Sequence, residues 1–158
     1  MGCVSSKEIN SVKPSDIFSQ TVSTNDFLIL KIQEATYDNT QPFTPLFTNG
    51  KCVKVYDGDT IHIAAIVNGD IYRFTIRLYG YDSPEIRSKN AKEKEAGYKA
   101  KNALSERIEG KMVNVLIHPI KEKFGRILAT ISDSKGEVNK WMIENGYGIP
   151  YFGGSKEK

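Results

Sequence analysis

The chain has 158 residues, 39% of them hydrophobic and 26% charged, with a net charge of +3. That composition supports a folded core and excludes disorder over the whole length. No apolar run approaches a membrane span, and the first twenty residues lack the apolar stretch of a secretory signal. Two cysteines, Cys3 and Cys52, cannot build a disulfide framework, so a reducing compartment is expected.

The charge is unevenly spread. Residues 1–50 carry three lysines against five acids, whereas residues 51–158 carry 19 basic against 14 acidic side chains. Only the second part is basic, which fits an anionic partner without demanding one.

Residues 1–20 are polar and turn-rich without periodicity, and are expected to form a flexible tail. Residues 21–48 read as a linker. Within it Asn25 is placed to cap a short helix carrying Phe27, Leu28, Ile32 and Ala35, before Pro42 and Pro45 break the chain. Residues 49–154 form the expected folded domain, followed by a tail at 155–158. Cys52 to Tyr56 alternates as a strand in which Cys52 is a small buried hydrophobe. Asp57-Gly58-Asp59 is a turn, and Thr60 to Val67 is a second, β-branched strand. Asn68-Gly69 is a strong hairpin signal, because both central positions of a type I′ turn need positive φ.

Asp70 to Tyr81 is expected as one long third strand, with Phe74, Ile76 and Leu78 on one face and Arg73, Thr75, Arg77 and Tyr79 on the other. Asn90 to Glu109 reads as a helix with a stripe of Ala96, Ala100, Ala103, Leu104 and Ile108. Gly97 sits inside it at some cost, and Gly110 ends it. Met112 to Ile117 and Ile127 to Ser132 are two more strands. Val138, Trp141 and Met142 line a last short helix that stops at Gly146. Five strands with a helix between the third and fourth predict an α+β fold, an OB-type Greek-key β-barrel with a short C-terminal helix.

The meander puts the end of the first strand and the end of the third at the same edge. Asp57, Asp59, Asp82 and Glu85 therefore gather at one rim, and such a cluster favours a bound hard cation or a raised pKa. His62 and His118 lack partners at metal spacing and read as structural. Asp-Gly-Asp and Asp-Ser-Pro-Glu are also common turn sequences, and Arg77 could be an outward residue on a polar face. These residues alone lead to a metal-binding, phosphate-binding barrel and no further.

Val55-Tyr56-Asp57-Gly58-Asp59-Thr60-Ile61, then Arg77-Leu78-Tyr79-Gly80-Tyr81-Asp82-Ser83-Pro84-Glu85, then Phe124-Gly125-Arg126, resemble the staphylococcal (micrococcal) nuclease, or thermonuclease, family in order and spacing. Val138 to Gly146 does so too, and the resemblance covers residues 50–152. It implies Ca²⁺-dependent hydrolysis of phosphodiester bonds in single- and double-stranded DNA and in RNA, by a monomer with little sequence preference. One Ca²⁺ ion would be held by the carboxylates of Asp59 and Asp82 and the backbone carbonyl of Ser83, where the family usually has Thr. Asp57 would stand close by. Glu85 matches the general base, and Arg77 and Arg126 match the two phosphate-binding arginines. Lys123 and Phe124 match a Lys-Tyr pair flanking the nucleotide, with the phenol hydroxyl lost. Among Tyr147, Tyr151 and Phe152, Tyr151 is taken as the residue stacking on the base. The loop from His118 to Lys123 is short, and the chain stops before the family's third helix.

The sequence Met1-Gly2-Cys3-Val4-Ser5-Ser6 fits an N-myristoylation pattern at Gly2, with Cys3 as a palmitoylation site. One myristoyl chain alone binds membranes marginally, so the second acyl group is needed for stable anchoring on the cytoplasmic face of a membrane. This N-terminus resembles that of lipid-anchored plant nucleases of the same family. The competing expectation is a non-catalytic barrel of this fold that only binds nucleic acid or protein.

Overall fold

In the computed structural model, residues 24–120, 122 and 124–153 are described. Contacts divide the chain into two units, one ending at Phe43 and the other beginning at Thr44. In the first unit, α1 spans Thr24–Gln33. The helix already includes Thr24, so Asn25 lies in its first turn and does not cap it. None of its residues is buried, and Phe27, Leu28 and Ile32 are exposed.

In the second unit the alternation of the sequence becomes an alternation of burial. Strand β1 (Asn49–Val55) pairs antiparallel with β2 (Thr60–Val67), with a bulge between Cys52 and Lys54. β2 continues through Asn68 (φ 54°) and Gly69 (φ 91°) into β3 (Asp70–Leu78), in unbroken register from Val67–Asp70 to Thr60–Arg77. The barrel is completed by β5 (Met112–Ile117) and β6 (Ile127–Asp133). β5 pairs with β1 and β6, and β6 runs parallel to β3 through Ile76–Ile127, Arg77–Leu128 and Leu78–Ala129. Five strands thus close without a free edge. The fold is the expected α+β barrel with a helix between its third and fourth strands.

The third strand is shorter than expected. It stops at Leu78, and after Tyr79 the chain turns through Gly80 (φ 73°) into a separate strand, β4 (Gly80–Asp82). β4 pairs with β8 (Ile149–Tyr151) in a second small sheet. The sidestep is secured by Asn139, buried on α3 (Val138–Glu144). Its Nδ2 donates to the carbonyls of Tyr79 (2.8 Å) and Ala129 (3.1 Å), while its Oδ1 accepts from the Ile131 N–H (3.0 Å). One buried side chain therefore bonds three backbone groups, adding a second donor to the Ala129 carbonyl, which already accepts from the Tyr79 N–H at 2.9 Å. A two-residue strand, β7 (Gly136–Glu137), leads into α3.

α2 (Ala91–Ile108) begins at Asn90, whose side chain accepts from the N–H groups of Lys92 and Glu93. It ends before Gly110 (φ 77°). Ala100, Leu104 and Ile108 bury against Ile61, Ile63, Ile76, Leu78, Ile131 and Met142 in one core. Cys52 is part of that core, and burial pushes its thiol up to about 11, leaving it un-ionised at neutral pH. Two glycines set how the helix meets the loops. A Cβ on Gly97 would lie 2.7 Å from the Pro84 carbonyl oxygen and 3.0 Å from the Ile86 nitrogen. A Cβ on Gly58 would lie 2.6 Å from the Ser83 Cβ and 2.9 Å from the Ala100 Cβ. The absence of side chains at both positions lets α2, the Asp57–Asp59 turn and the Ser83–Ile86 segment close onto one another. The helix-propensity cost of Gly97 is thus offset by close packing that fixes the backbone around Glu85.

Candidate active site

The β1–β2 turn and the exit of β4 meet as the meander requires. Asp57 Oδ1 accepts from the N–H groups of Asp59 (3.2 Å) and Thr60 (2.8 Å), which folds the turn and swings the Asp59 carboxylate inward. Arg77, at the end of β3, reaches both acidic corners. Its Nη1 lies 2.8 Å from Asp59 Oδ2 and its Nη2 lies 2.7 Å from Asp82 Oδ1. All three side chains are at most 15% exposed. The acids gather at one rim, and the structure adds a guanidinium between two of them: Asp59 and Asp82 are both paired with Arg77. Among the described residues no three His, Cys, Asp or Glu side chains form a metal-holding group.

The pairing does not neutralise the corner. Burial, opposed by Arg77 and reinforced by the charge of Asp57, pushes Asp59 up to about 6. Burial, with the same three aspartates adding to it, also drives the Tyr81 phenol upward; its hydroxyl donates to the Tyr147 carbonyl (3.0 Å). Three aspartates meet the one guanidinium of Arg77 at this corner, and every donor they offer is a hard oxygen. That fits a hard divalent cation with Asp59 and Asp82 as carboxylate ligands and a backbone carbonyl such as that of Ser83, itself buried.

Arg126 approaches the same corner from the other side. Thr60 Oγ1 donates to Asp59 Oδ1 (2.8 Å) and accepts from Arg126 Nη1 (3.1 Å). Arg126 Nη2 is held by Glu122 Oε1 (2.8 Å), whose Oε2 accepts from the Phe124 (2.7 Å) and Arg126 (3.3 Å) N–H groups. Burial would raise Glu122, but the hydrogen bonds from Arg126 and Phe124 outweigh it and hold the carboxyl below its usual range. Arg126 Nε is buried without a hydrogen-bond partner. An unsatisfied guanidinium N–H in such a place is costly unless an acceptor arrives.

These groups line one cleft of about 990 Å³. Glu85 is exposed on its wall, and Tyr151 lines it from β8, opposite Gly80 in register. Phe124 and Phe152 stand at its rim, 74% and 72% exposed, and the Arg126 guanidinium lies 5.7 Å from the centre of the Phe124 ring. Tyr147 packs against Trp141 instead. Of the residues expected at the site, Asp59, Asp82, Ser83, Arg77, Glu85, Arg126, Phe124 and Tyr151 all line this cleft. Lys123, Gly2 and Cys3 lie outside the described residues.

Two participants carried no sequence signal of their own. Thr60 reads as a strand residue, yet its hydroxyl joins the two arginine clusters. Glu122 sits in an aperiodic loop, and only its i,i+4 spacing to Arg126 hints at the pair. His62, read as structural, also lines the cleft, while His118 stacks on Tyr79 at 4.0 Å and bonds Thr130.

The family model for staphylococcal nuclease homologues matches residues 75–158. Over 125 residues the chain is 34% identical to an uncharacterized protein of Methanocaldococcus jannaschii, covering 65% of this chain and 58% of that protein. Over 102 residues it is 33% identical to an uncharacterized protein of Bacillus anthracis, covering 63% of this chain and 46% of that protein. The chain thus spans about half the length of these relatives. With the barrel and the order of its motifs, the match to more than half of the chain settles the family: this protein belongs to the staphylococcal nuclease homologues.

Proposed function

We propose that the chain is a metal-dependent nuclease that hydrolyses phosphodiester bonds in DNA and RNA with little sequence preference. The observation that carries this reading is the convergence of Arg77 and Arg126 on the Asp59–Thr60 corner, in the cleft that also holds Glu85. Hydrolysis of a phosphodiester is limited chiefly by the negative charge that builds on the phosphoryl oxygens. Two guanidiniums facing one point can fork onto those oxygens and hold the group in place. The orphaned Nε of Arg126 gains an acceptor when a phosphate enters. Glu85, exposed on the wall, orients an attacking water and accepts its proton. A Ca²⁺ ion, when bound, supplies Lewis-acid polarisation of the phosphoryl oxygen, with Asp59, Asp82 and the Ser83 carbonyl as its protein ligands. Phe124 and Tyr151 offer ring faces to the bases, and Lys123 a charge to the backbone. Contacts to phosphates and ring faces carry little sequence information. Acyl chains on Gly2 and Cys3 would tether the chain to the cytoplasmic face of a membrane, a part of the proposal that rests on sequence alone.

The test is cleavage of single- and double-stranded DNA and of RNA by purified protein in Ca²⁺, in Mg²⁺ and in chelator. Ca²⁺-dependent loss of substrate is expected. Glu85→Gln should lower turnover by about 10²–10⁴-fold while oligonucleotide binding persists. Undiminished cleavage by that variant overturns the mechanism. Failure of the wild-type protein to cut any substrate in Ca²⁺ or Mg²⁺ favours the binding-module reading. Intact mass after expression in a eukaryotic host reads the acylation of Gly2 and Cys3.

A further inference from the structure

The wall of the cleft continues onto the outer face of the β1–β2–β3 meander. In register, Thr60 pairs with Arg77, His62 with Thr75, Ala64 with Arg73 and Ile66 with Ile71. These are the outward positions, since Ile61, Ile63, Ala65 and Val67 between them are buried. On the other side of β2, Lys54 stands opposite His62 and Lys51 opposite Ala64. Leaving Arg77, the face therefore presents a His62–Thr75 pair flanked by Lys54, then Ala64 flanked by Lys51 and Arg73, then two isoleucines.

None of these outward positions is acidic. Lys51, Lys54 and Arg73 are exposed. The lysines of β1 and Arg73 of β3 line the two sides of β2, and a group of like charges with no acid among it is tolerated best when an anion lies across it. His62 lies among them, and burial first, then the charges of Arg73 and Lys54, lower its pKa. Beside it Tyr56 sits edge-on at 6.3 Å, and the Tyr56 hydroxyl is held by Arg87 at 2.5 Å. Tyr56, His62, Thr75 and Arg87 also line the cleft, so the face and the candidate site are one continuous surface. From Arg77 to Arg73 it runs four residues of strand, about 13 Å.

We propose that this face is a binding track for the single strand leading out of the cleft, with Lys54 on one phosphate, Lys51 and Arg73 on either side of the next, and Tyr56 and His62 beneath bases. Small Ala64 leaves a trough between Lys51 and Arg73, and aromatic rings interleaved with cations suit an extended strand whose bases are free to stack. A duplex stacks its own bases and gains only the charge contacts. The track deepens the nuclease reading, because it assigns an elongated single-stranded substrate to the same site, but it requires only binding.

Its test is therefore made without cleavage. Fluorescence anisotropy in chelator measures binding of fluorescent oligothymidylates, one about twenty nucleotides long and one of two or three, over a series of salt concentrations. The Lys54→Gln/Arg73→Gln double variant should bind the long strand about tenfold more weakly, and its slope of log affinity against log salt should be shallower by about 1.4. Binding of the short strand should change less than twofold. A Lys99→Gln/Lys140→Gln double variant, equal in charge but altered on the helices, should bind both as wild type does. Equal losses for the short and long strands, an equal loss in the charge control, or failure of the wild-type protein to bind the long strand would each overturn the track. Absence of cleavage in Ca²⁺, with the length-dependent loss intact, would overturn the nuclease reading and leave the track standing.

Discussion

Arg77 and Arg107 are both half-buried arginines paired with aspartate, and they do opposite things. Arg107 faces a single carboxylate: Nε and Nη2 donate to Asp133 at 2.8 and 2.9 Å, and the Trp141 ring lies 4.5 Å from the guanidinium. Hydrogen bonding from Arg107 holds the Asp133 carboxyl below its usual range. Charge is balanced one to one, and the pair ties α2 to the end of β6. Arg77 is shared by Asp59 and Asp82, with Asp57 adjacent, and burial, more than Arg77 can offset and with the charge of Asp57 added, pushes Asp59 up. The same residue types make a clamp where charges match and an unsatisfied corner where they do not. A guanidinium with too many carboxylates, open to a cleft, is the mark of a place that expects another ion.

The comparison can be broken in four places. Arg77→Lys keeps the charge but loses the fork to two acids; catalysis should fall by about 10²–10³-fold, near 3–4 kcal/mol, read as kcat on DNA. Asp133→Asn should leave cleavage untouched but cost about 2 kcal/mol of stability in urea unfolding. Because the folded-state pKa of Asp133 is lowered, its contribution is complete above about pH 4 and fades as pH falls through the folded value. Wild type and variant should therefore converge in acid, and a gap that persists there would refute the assignment.

A third change, Glu122→Gln, tests whether bracing matters as much as contact. Arg126 would keep its bond to Thr60 but lose its ionic partner, and kcat should drop about tenfold, near 1.4 kcal/mol, with KM moving less. An unchanged kcat would make Glu122 a loop staple only. The smallest effect is expected from Lys140→Gln, whose ammonium lies 3.5 Å from Glu144 with both side chains well exposed. Its stability should stay within about 0.5 kcal/mol of wild type.

Much of this was legible in the sequence because it is local. Asn68-Gly69 fixes a hairpin by positive φ, and that hairpin forces the register that sets Arg77 beside Thr60. Given the register, the arrival of Arg77 at the Asp57–Asp59 turn follows from strand direction alone. The end of β3 was not legible. Tyr79 and Gly80 continue the alternation, so nothing local announces the sidestep into β4; it is decided by Asn139, about sixty residues away, bonding the Tyr79 carbonyl. Gly97 is similar: in sequence it weakens a helix, and only the approach of the Pro84–Ile86 backbone explains it.

What the sequence determined by itself was the five strands of the barrel, the turn between the second and third, and hence the family of barrel, since periodicity, φ preference and hydrophobic pattern act between near neighbours. What tertiary structure decided was partnership: that Arg77 is divided between two aspartates, that Thr60 links it to Arg126, that Glu122 holds Arg126 in place, and that the cations of β1 and β3 share one acid-free face. Those depend on distances between residues far apart in the chain, and a distance of that kind is fixed only when the barrel closes and the core packs.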